Sequence, residues 1–163
     1  MTGTTAGCLT VIFGLLGTVD AAPAAPAMPF TQPQRDYILS CGGCHGLNGV
    51  SNAALVPSLK GLVGFYLNLP EGRAYLPRLP NVAFSSLDDE RLAAVLNYLL
   101  FDIGSGSAPT GTPPYRAAEV GKWRRRPLTE VSLSQYRQRM VQTLIDRYQA
   151  PDALRSYGTT GAN

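Results

Sequence analysis

Residues that bind metals or carry sulfur are scarce in this sequence. Its 163 residues include three cysteines and one histidine. A disulfide framework needs more cysteines that are spread more widely, and a structural zinc site needs four ligands. Cys8 lies at the start of the N-terminal apolar run and is expected to be removed with it, which leaves Cys41, Cys44 and His45 for chemistry that uses sulfur or imidazole. A disulfide scaffold and a structural zinc domain are therefore excluded.

The N-terminus lacks an apolar run long enough to cross a bilayer. Leu9 to Val19 gives about eleven mostly apolar residues, where a span needs about twenty. Small residues follow the run and suit cleavage, so we predict an export signal over 1–22 and a Pro/Ala linker over 23–29. No Lys or Arg precedes the run, and an uncleaved anchor is the alternative. After cleavage no stable membrane span is expected.

Charge is unevenly distributed along the chain. Residues 1–115 carry five basic and seven acidic side chains, whereas residues 116–163 carry nine basic and four acidic ones. The densest basic run is Lys122-Trp123-Arg124-Arg125-Arg126-Pro127. This run could steer docking to an acidic partner, or it could be a solvated linker. A nucleic-acid partner fits poorly with export.

Periodicity and capping residues predict helices, and no alternation typical of strands is present. Thr31 can cap a first helix, Ser86 and Asp89 form an approximate capping box, and Pro151 ends a last helix. The predicted segments are a helix over 31–40, a short helix over 58–66, an extended loop over 68–81, a helix over 87–101, a linker over 104–114 and a helix over 133–149.

The sequence Cys41-Gly42-Gly43-Cys44-His45 carries the chemistry. Cys-x-x-Cys-His is the attachment signature of c-type haem. The two thiols form thioethers with the porphyrin vinyl groups, and the adjacent imidazole can ligate the iron from the same side. A thioredoxin-like redox pair is the alternative, but it would need a βαβ context that is not visible.

From Thr31 to about Phe101 the chain resembles the small monohaem class I cytochromes c. The order matches: a helix, the Cys-x-x-Cys-His motif, a middle helix, a loop, and a helix with an aromatic residue late in it, here Tyr98. The resemblance implies an all-α cytochrome c-like fold of three or four helices around one covalently bound haem c. It also implies that Pro57 accepts a hydrogen bond from the outer nitrogen of His45; a simple loop proline is the alternative. The helix predicted over 133–149 adds a C-terminal helical extension, which the resemblance does not cover.

One part of the family's pattern is missing. Class I cytochromes normally supply a methionine as sixth iron ligand, yet none occurs between Met28 and Met140. Asn81-Val82-Ala83-Phe84 stands where the family often has Met-Pro-Ala-Phe, so Asn81 replaces the ligand. Three outcomes stay open: a five-coordinate or water-holding iron, weak ligation by Asn81, or ligation by Met140; Lys60 or a partner's residue would be a further source. Without a thioether ligand we predict a lower reduction potential.

Haem propionates need counter-charge or hydrogen bonds. Arg73 and Arg78 flank Tyr75 in the loop that should fold over the haem, and arginine suits bidentate pairing with carboxylates. Solvated surface charges are the alternative. The predicted apolar lining consists of Leu55, Leu59, Leu62, Val63, Leu67, Leu76, Leu79, Phe84 and Leu96.

These observations predict a periplasmic electron carrier and no enzyme, with weak peroxidase-like activity as the alternative. The expected partners are redox proteins such as a periplasmic dehydrogenase or oxidase. The alternatives are a haem protein that binds NO, CO or peroxide, and a permanent cytochrome subunit of a dehydrogenase. The expected division is a signal peptide (1–22), a linker (23–29), a cytochrome c domain (30–103), a linker (104–114), a basic helical extension (115–150) and a flexible tail (151–163).

Overall fold

A computed structural model describes residues 1–3, 29–51, 56–129 and 131–155. Within these residues the fold is all-α, as predicted, and no strand occurs. None of the described helices is long and apolar enough to cross a membrane. The elements are α1 (Gln32–Ser40), α2 (Gly42–His45), a 3₁₀ helix (Val63–Asn68), α3 (Gly72–Arg78), α4 (Pro80–Ala83), α5 (Asp89–Tyr98), a π-helical turn (Leu99–Ile103), α6 (Ala117–Arg124), α7 (Leu133–Tyr148) and a 3₁₀ helix (Asp152–Arg155).

Some predictions fall outside the described residues. Almost all of the predicted signal peptide and linker lies there, as do Leu55 of the predicted lining and the end of the predicted tail, 156–163. The first part of that tail is described and is not loose. It forms the 3₁₀ helix Asp152–Arg155, and Leu154 is fully buried in the core beside α7.

Helix α1 begins where the capping residues predict. The Thr31 hydroxyl accepts a hydrogen bond from the Gln34 backbone N–H, and the Gln34 side chain accepts one from the Thr31 N–H at 2.8 Å. This reciprocal pair satisfies two backbone donors at the start of the helix. Pro33 lies in the first turn, where its missing N–H costs nothing.

Helices α1 and α5 cross and pack against each other. The rings of Tyr37 and Tyr98 meet edge to face, with centroids 5.7 Å apart. Helix α5 has the apolar face that its periodicity predicts, because Leu92, Val95 and Leu96 are all buried. Its start differs from the prediction: the cap is Asp88, whose carboxylate accepts from the Arg91 N–H at 2.8 Å, so the proposed capping box at Ser86 is wrong.

The extended loop predicted over 68–81 is also wrong, because α3 and α4 lie there. Pro80 occupies the first turn of α4, where proline is tolerated. Pro77 lies inside α3 and cannot donate to the carbonyl of Arg73, four residues earlier. The buried Tyr115 hydroxyl donates to that carbonyl at 2.7 Å instead, so the helix survives its proline. The middle helix is shifted as well, to the 3₁₀ helix Val63–Asn68.

The C-terminal extension packs on the rest of the fold. Helix α6, which periodicity did not predict, contains the start of the basic run and contacts α3, α4 and α5. Helix α7 packs against the 3₁₀ helix Val63–Asn68, and its predicted apolar stripe is buried at Met140, Val141 and Leu144. Residues of the predicted cytochrome domain and of the extension therefore share one hydrophobic core.

Candidate haem-binding site

The Cys-x-x-Cys-His segment forms a tight turn at the end of α1. The backbone N–H groups of Cys44 and His45 both donate to the Cys41 carbonyl, at 3.2 and 3.0 Å. Gly46 then adopts a positive φ of 74°, and a side chain at that position would lie 2.1 Å from the Val50 carbonyl oxygen. This close approach requires glycine, and the turn directs Cys41 and His45 towards the same cavity.

The orientation of the His45 imidazole is fixed by a hydrogen bond at Nδ1. Its Nδ1 lies 3.0 Å from the carbonyl oxygen of Pro57, so Nδ1–H donates to that carbonyl and the lone pair is on Nε2. Burial holds the pKa of His45 below its ordinary value, the Pro57 hydrogen bond opposes that shift, and the charge of Arg137 adds to it. The neutral form that can ligate a metal is thus the favoured one.

The two cysteines of the motif lie in different environments. Cys41 is half-buried and Cys44 is exposed. Burial raises the pKa of Cys41 to about 11, with a smaller contribution from the nearby Cys44. Reactive redox thiols have lowered pKa values, so the shift runs opposite to that of a thioredoxin-like pair. A neutral, half-buried thiol beside an apolar cavity fits thioether attachment instead.

Two adjoining cavities meet at His45. Each encloses about 590 Å³, including the part open to solvent. They share the side chains of Cys41, His45, Val82, Leu96 and Leu99. The inner cavity is also lined by Pro57, Leu59, Val63, Tyr66, Tyr75, Leu76, Leu79 and Arg137. The outer cavity is also lined by Ser40, Cys44, Asn81, Ser85, Leu87, Leu92 and Val95.

The lining suits a large, flat, mostly apolar cofactor. Cys41 and His45 face both cavities, Cys44 faces the outer one, and apolar side chains make up most of the rest. Tyr66 and Tyr75 stack in the inner cavity with ring centroids 5.1 Å apart. The chemistry of this donor set, two thiols and one imidazole with a free Nε2, fits the haem that the motif predicts.

The structure separates the other predicted site residues. Tyr75 lines the inner cavity and Asn81 the outer one. Arg73 and Arg78 line neither, which corrects their expected place at a propionate. Arg73 is held by Glu119 at 2.6 and 2.8 Å, and Arg78 donates to the Arg126 carbonyl at 2.7 Å. The physical reason is that both arginines lie on helix α3, where they bind residues of the extension. They do not lie on a loop that covers the haem.

Met140 also lies outside both cavities. It is buried on α7 as part of the hydrophobic core. That is the ordinary position of a methionine on the apolar stripe of a helix.

Sequence reasoning missed Arg137, which reaches the inner cavity from α7. Its Nε donates to the Tyr75 hydroxyl at 3.1 Å. A signal for this position was available in the sequence. Arg137 precedes Met140, Val141 and Leu144 by three, four and seven residues, so it lies on the buried face of the helix. An arginine on such a face needs an anionic or polar partner.

No known protein-family model matches this sequence. Two proteins from Thermus thermophilus are similar to it. One, named cytochrome c-552, is 32% identical over 135 residues, which cover 72% of this chain and 86% of that protein. The other, also named cytochrome c-552, is 33% identical over 107 residues, which cover 55% of this chain and 82% of that protein. With this identity, this coverage and the haem-attachment motif at the head of the two cavities, the chain belongs to the cytochrome c family.

Proposed function

We propose that this protein is an electron-transfer cytochrome that carries single electrons through one haem, covalently attached at Cys41 and Cys44. The observation that carries the proposal is the arrangement of His45. Its Nδ1 is fixed by the Pro57 carbonyl, and it lies where two apolar cavities meet beside both cysteines. The similarity to two proteins named cytochrome c-552 supports the same function.

The bound haem would supply an iron that accepts and releases one electron. The residues of the chain hold and tune it. Cys41 and Cys44 would hold the ring by thioether bonds, and His45 would offer Nε2 as the proximal ligand. The hydrogen bond to Pro57 fixes the imidazole tautomer and raises the basicity of that ligand. Apolar side chains limit the access of water.

Among the described residues that line the inner cavity, Arg137 is the one basic side chain apart from His45. A haem carries carboxylates, and an arginine that is already oriented by the Tyr75 hydroxyl can pair with one of them. We therefore assign Arg137 and Tyr75 the propionate contact that the sequence alone suggested for Arg73 and Arg78.

The sixth coordination position belongs to the same proposal. Asn81 lines the outer cavity, and no methionine lies between Met28 and Met140. An iron that is five-coordinate, water-bound or weakly ligated by the Asn81 amide is the best-supported state, and a lower potential than that of a methionine-ligated relative follows.

Electron exchange requires a surface at which a partner protein can dock. The exposed surface around Cys44 can serve as this docking surface. Leu39, Leu47 and Phe84 are exposed apolar residues adjacent in sequence or space to the motif and to the outer cavity. We propose that the protein is exported and that a periplasmic dehydrogenase or oxidase docks at this surface. Partner kinetics that do not change with salt would argue against a contribution from the basic extension.

The test begins with covalent attachment. The full chain is produced together with a c-type haem maturation system, and the intact mass and the ferrous spectrum are measured. We expect a mass increase of one haem and a reversible one-electron titration. Cys44→Ala should leave a single thioether, and His45→Ala should lose the native ferrous spectrum. A protein that takes up no haem, or whose haem no redox mediator can reduce and reoxidise, would contradict the proposal.

A second function, binding of a small molecule such as CO or NO at the iron, is favoured by Asn81 at the position of the family's methionine. We expect CO to shift the Soret band of the ferrous protein quickly and completely. A spectrum that CO does not change would mean that a strong internal ligand occupies the sixth position.

A further inference from the structure

The side chain of Arg124, at the end of α6, binds three carbonyls of one segment. Its Nε donates to the Ala83 carbonyl at 3.0 Å, and its two terminal nitrogens donate to the carbonyls of Ser85 and Leu87, each at 2.6 Å. The Asp89 carboxylate lies 3.3 Å away and balances the charge. The Arg124 side chain is 13% exposed, so these charged hydrogen bonds are largely shielded from water.

The residues that follow Arg124 bind Arg78, which directly precedes the same segment. The Leu128 backbone N–H donates to the Arg78 carbonyl at 2.8 Å. In return, the Arg78 side chain donates to the Arg126 carbonyl at 2.7 Å. Residues 124–128 therefore hold the segment 79–87 before and after Asn81.

The segment between these two attachments forms a wall of the haem site. Leu79 and Val82 line the inner cavity, and Asn81 and Val82 line the outer one. A methionine at position 81 would secure such a segment through its bond to the iron. Asparagine offers a far weaker bond or none, so another interaction has to hold the wall.

We propose that Arg124 is a positioning residue that holds the wall segment 79–87 against the haem site from the protein side, without relying on a bond to the iron. This inference rests on the proposed haem function. Because the wall is fixed independently of the iron, the sixth position can stay open while the cavity keeps its shape. The extension, through α6, then controls how far the wall can open to admit a ligand from solvent.

The experiment compares Arg124→Gln and Arg124→Lys with Arg125→Gln in the full-length, haem-loaded protein. Arg125 is the matched control, because its side chain is 69% exposed and its nearest acidic partner is Asp89 at 3.5 Å. Two properties are measured: amide hydrogen exchange of peptides that cover 79–87, and the rate at which imidazole binds the ferric iron, followed at the Soret band.

We expect Arg124→Gln to speed exchange in 79–87 by about tenfold or more, since one hydrogen bond to a charged group is worth at least that factor in an opening equilibrium. Imidazole association should accelerate in parallel. Arg124→Lys should restore part of both effects, and Arg125→Gln should leave both unchanged. If Arg124→Gln does not accumulate, Arg124→Lys against Arg125→Gln carries the same comparison.

Exchange in 79–87 that matches the wild type would overturn the proposal, as would a rise spread equally over α1 and α5. Unchanged imidazole association in a variant with faster local exchange would overturn the control of ligand access. Failure of the haem function would show separately, as an intact mass without haem, and the exchange comparison would still decide whether Arg124 holds the wall.

Discussion

The carboxylate of Asp36 in α1 is bound at two points by the guanidinium of Arg91 in α5, with Nε 3.0 Å from one carboxylate oxygen. Asp36 is 2% exposed, and the Gln32 amide also donates to it at 2.8 Å. The pair joins the two helices whose crossing also brings Tyr37 against Tyr98. It holds α1, whose C-terminal end leads into the haem-attachment motif, against α5.

Acid should weaken this pair. The Arg91 hydrogen bonds hold the pKa of Asp36 below the ordinary 3.8, against the opposing effect of burial. Because the folded pKa is the lower one, the stabilisation is fully present above pH 3.8 and is lost as the pH falls through the folded pKa. We expect Asp36→Asn to be less stable than wild type near neutral pH and to lose less stability on acidification. Urea unfolding at several pH values measures both.

Asp102→Asn is the control, because Asp102 is an exposed acid. Compared with Asp36→Asn, Asp102→Asn should have a much smaller effect on the stability near neutral pH and on the stability that is lost in acid. Parallel acid profiles for wild type and Asp36→Asn would contradict the prediction.

Gly72 is required by a close backbone approach. A side chain there would lie 1.6 Å from the Tyr66 carbonyl oxygen, which cannot move without displacing the 3₁₀ helix under the haem cavity. We expect Gly72→Ala to destabilise the protein by about 1–3 kcal/mol, the usual cost of overpacking. Gly121→Ala should cost less, because its added carbon meets the ends of two side chains, the Asp89 carboxylate at 2.1 Å and the Arg125 guanidinium at 3.1 Å, and side-chain ends can shift more easily than a backbone carbonyl. Thermal unfolding of the two variants compares them directly; equal losses would be the contrary result.

Arg137 should raise the reduction potential of the bound haem. A cation in the cavity disfavours the oxidised, more positive iron, so Arg137→Gln should lower the potential by tens of millivolts, since about 59 mV corresponds to a tenfold change in a one-electron equilibrium. Arg139→Gln removes the same charge from the same helix at an exposed position, 5.6 Å from the Tyr136 ring. Redox titration should show a clearly smaller shift for Arg139→Gln; equal shifts would mean that Arg137 acts only as a distant charge.

A methionine at position 81 should restore the family's ligand. We expect Asn81→Met to raise the potential and to slow CO binding, because thioether ligation favours the reduced iron and occupies the sixth position. Asn81→Leu is the control, with similar bulk and no sulfur. Spectra and potentials that are the same for both variants would show that residue 81 does not face the iron.

Local signals predicted those parts of the fold that depend on neighbouring residues. The cap at Thr31 located the start of α1, and the stripe at Met140, Val141 and Leu144 located α7. The motif at Cys41 to His45 identified the turn that faces the two cavities. Each of these depends on hydrogen bonds or faces within one short segment.

Contacts between distant residues explain what sequence reasoning missed. Three prolines made 68–81 resemble a loop. Pro77 leaves the Arg73 carbonyl of α3 without its helical donor, but the hydroxyl of Tyr115, which is 42 residues from Arg73 in sequence, donates to that carbonyl instead. Arg73 was assigned to the haem because its partner Glu119 lies on a helix that periodicity did not predict. Such partners are invisible until the chain is folded.

Several hydrogen bonds attach residues 104–119 to the preceding helices, and this has a consequence for how the molecule unfolds. Asn97 and Tyr115 exchange two hydrogen bonds. The Ser107 hydroxyl donates to the Gly104 carbonyl and accepts from the Gly64 N–H. Arg73 forms an ion pair with Glu119. The segment 104–114, expected as a linker, is thus tied down at both ends, and Ser107 is buried. We expect calorimetry to show one cooperative transition, and limited proteolysis to find no preferred first cut there. The extension and the haem-bearing helices should melt together, as one thermodynamic unit.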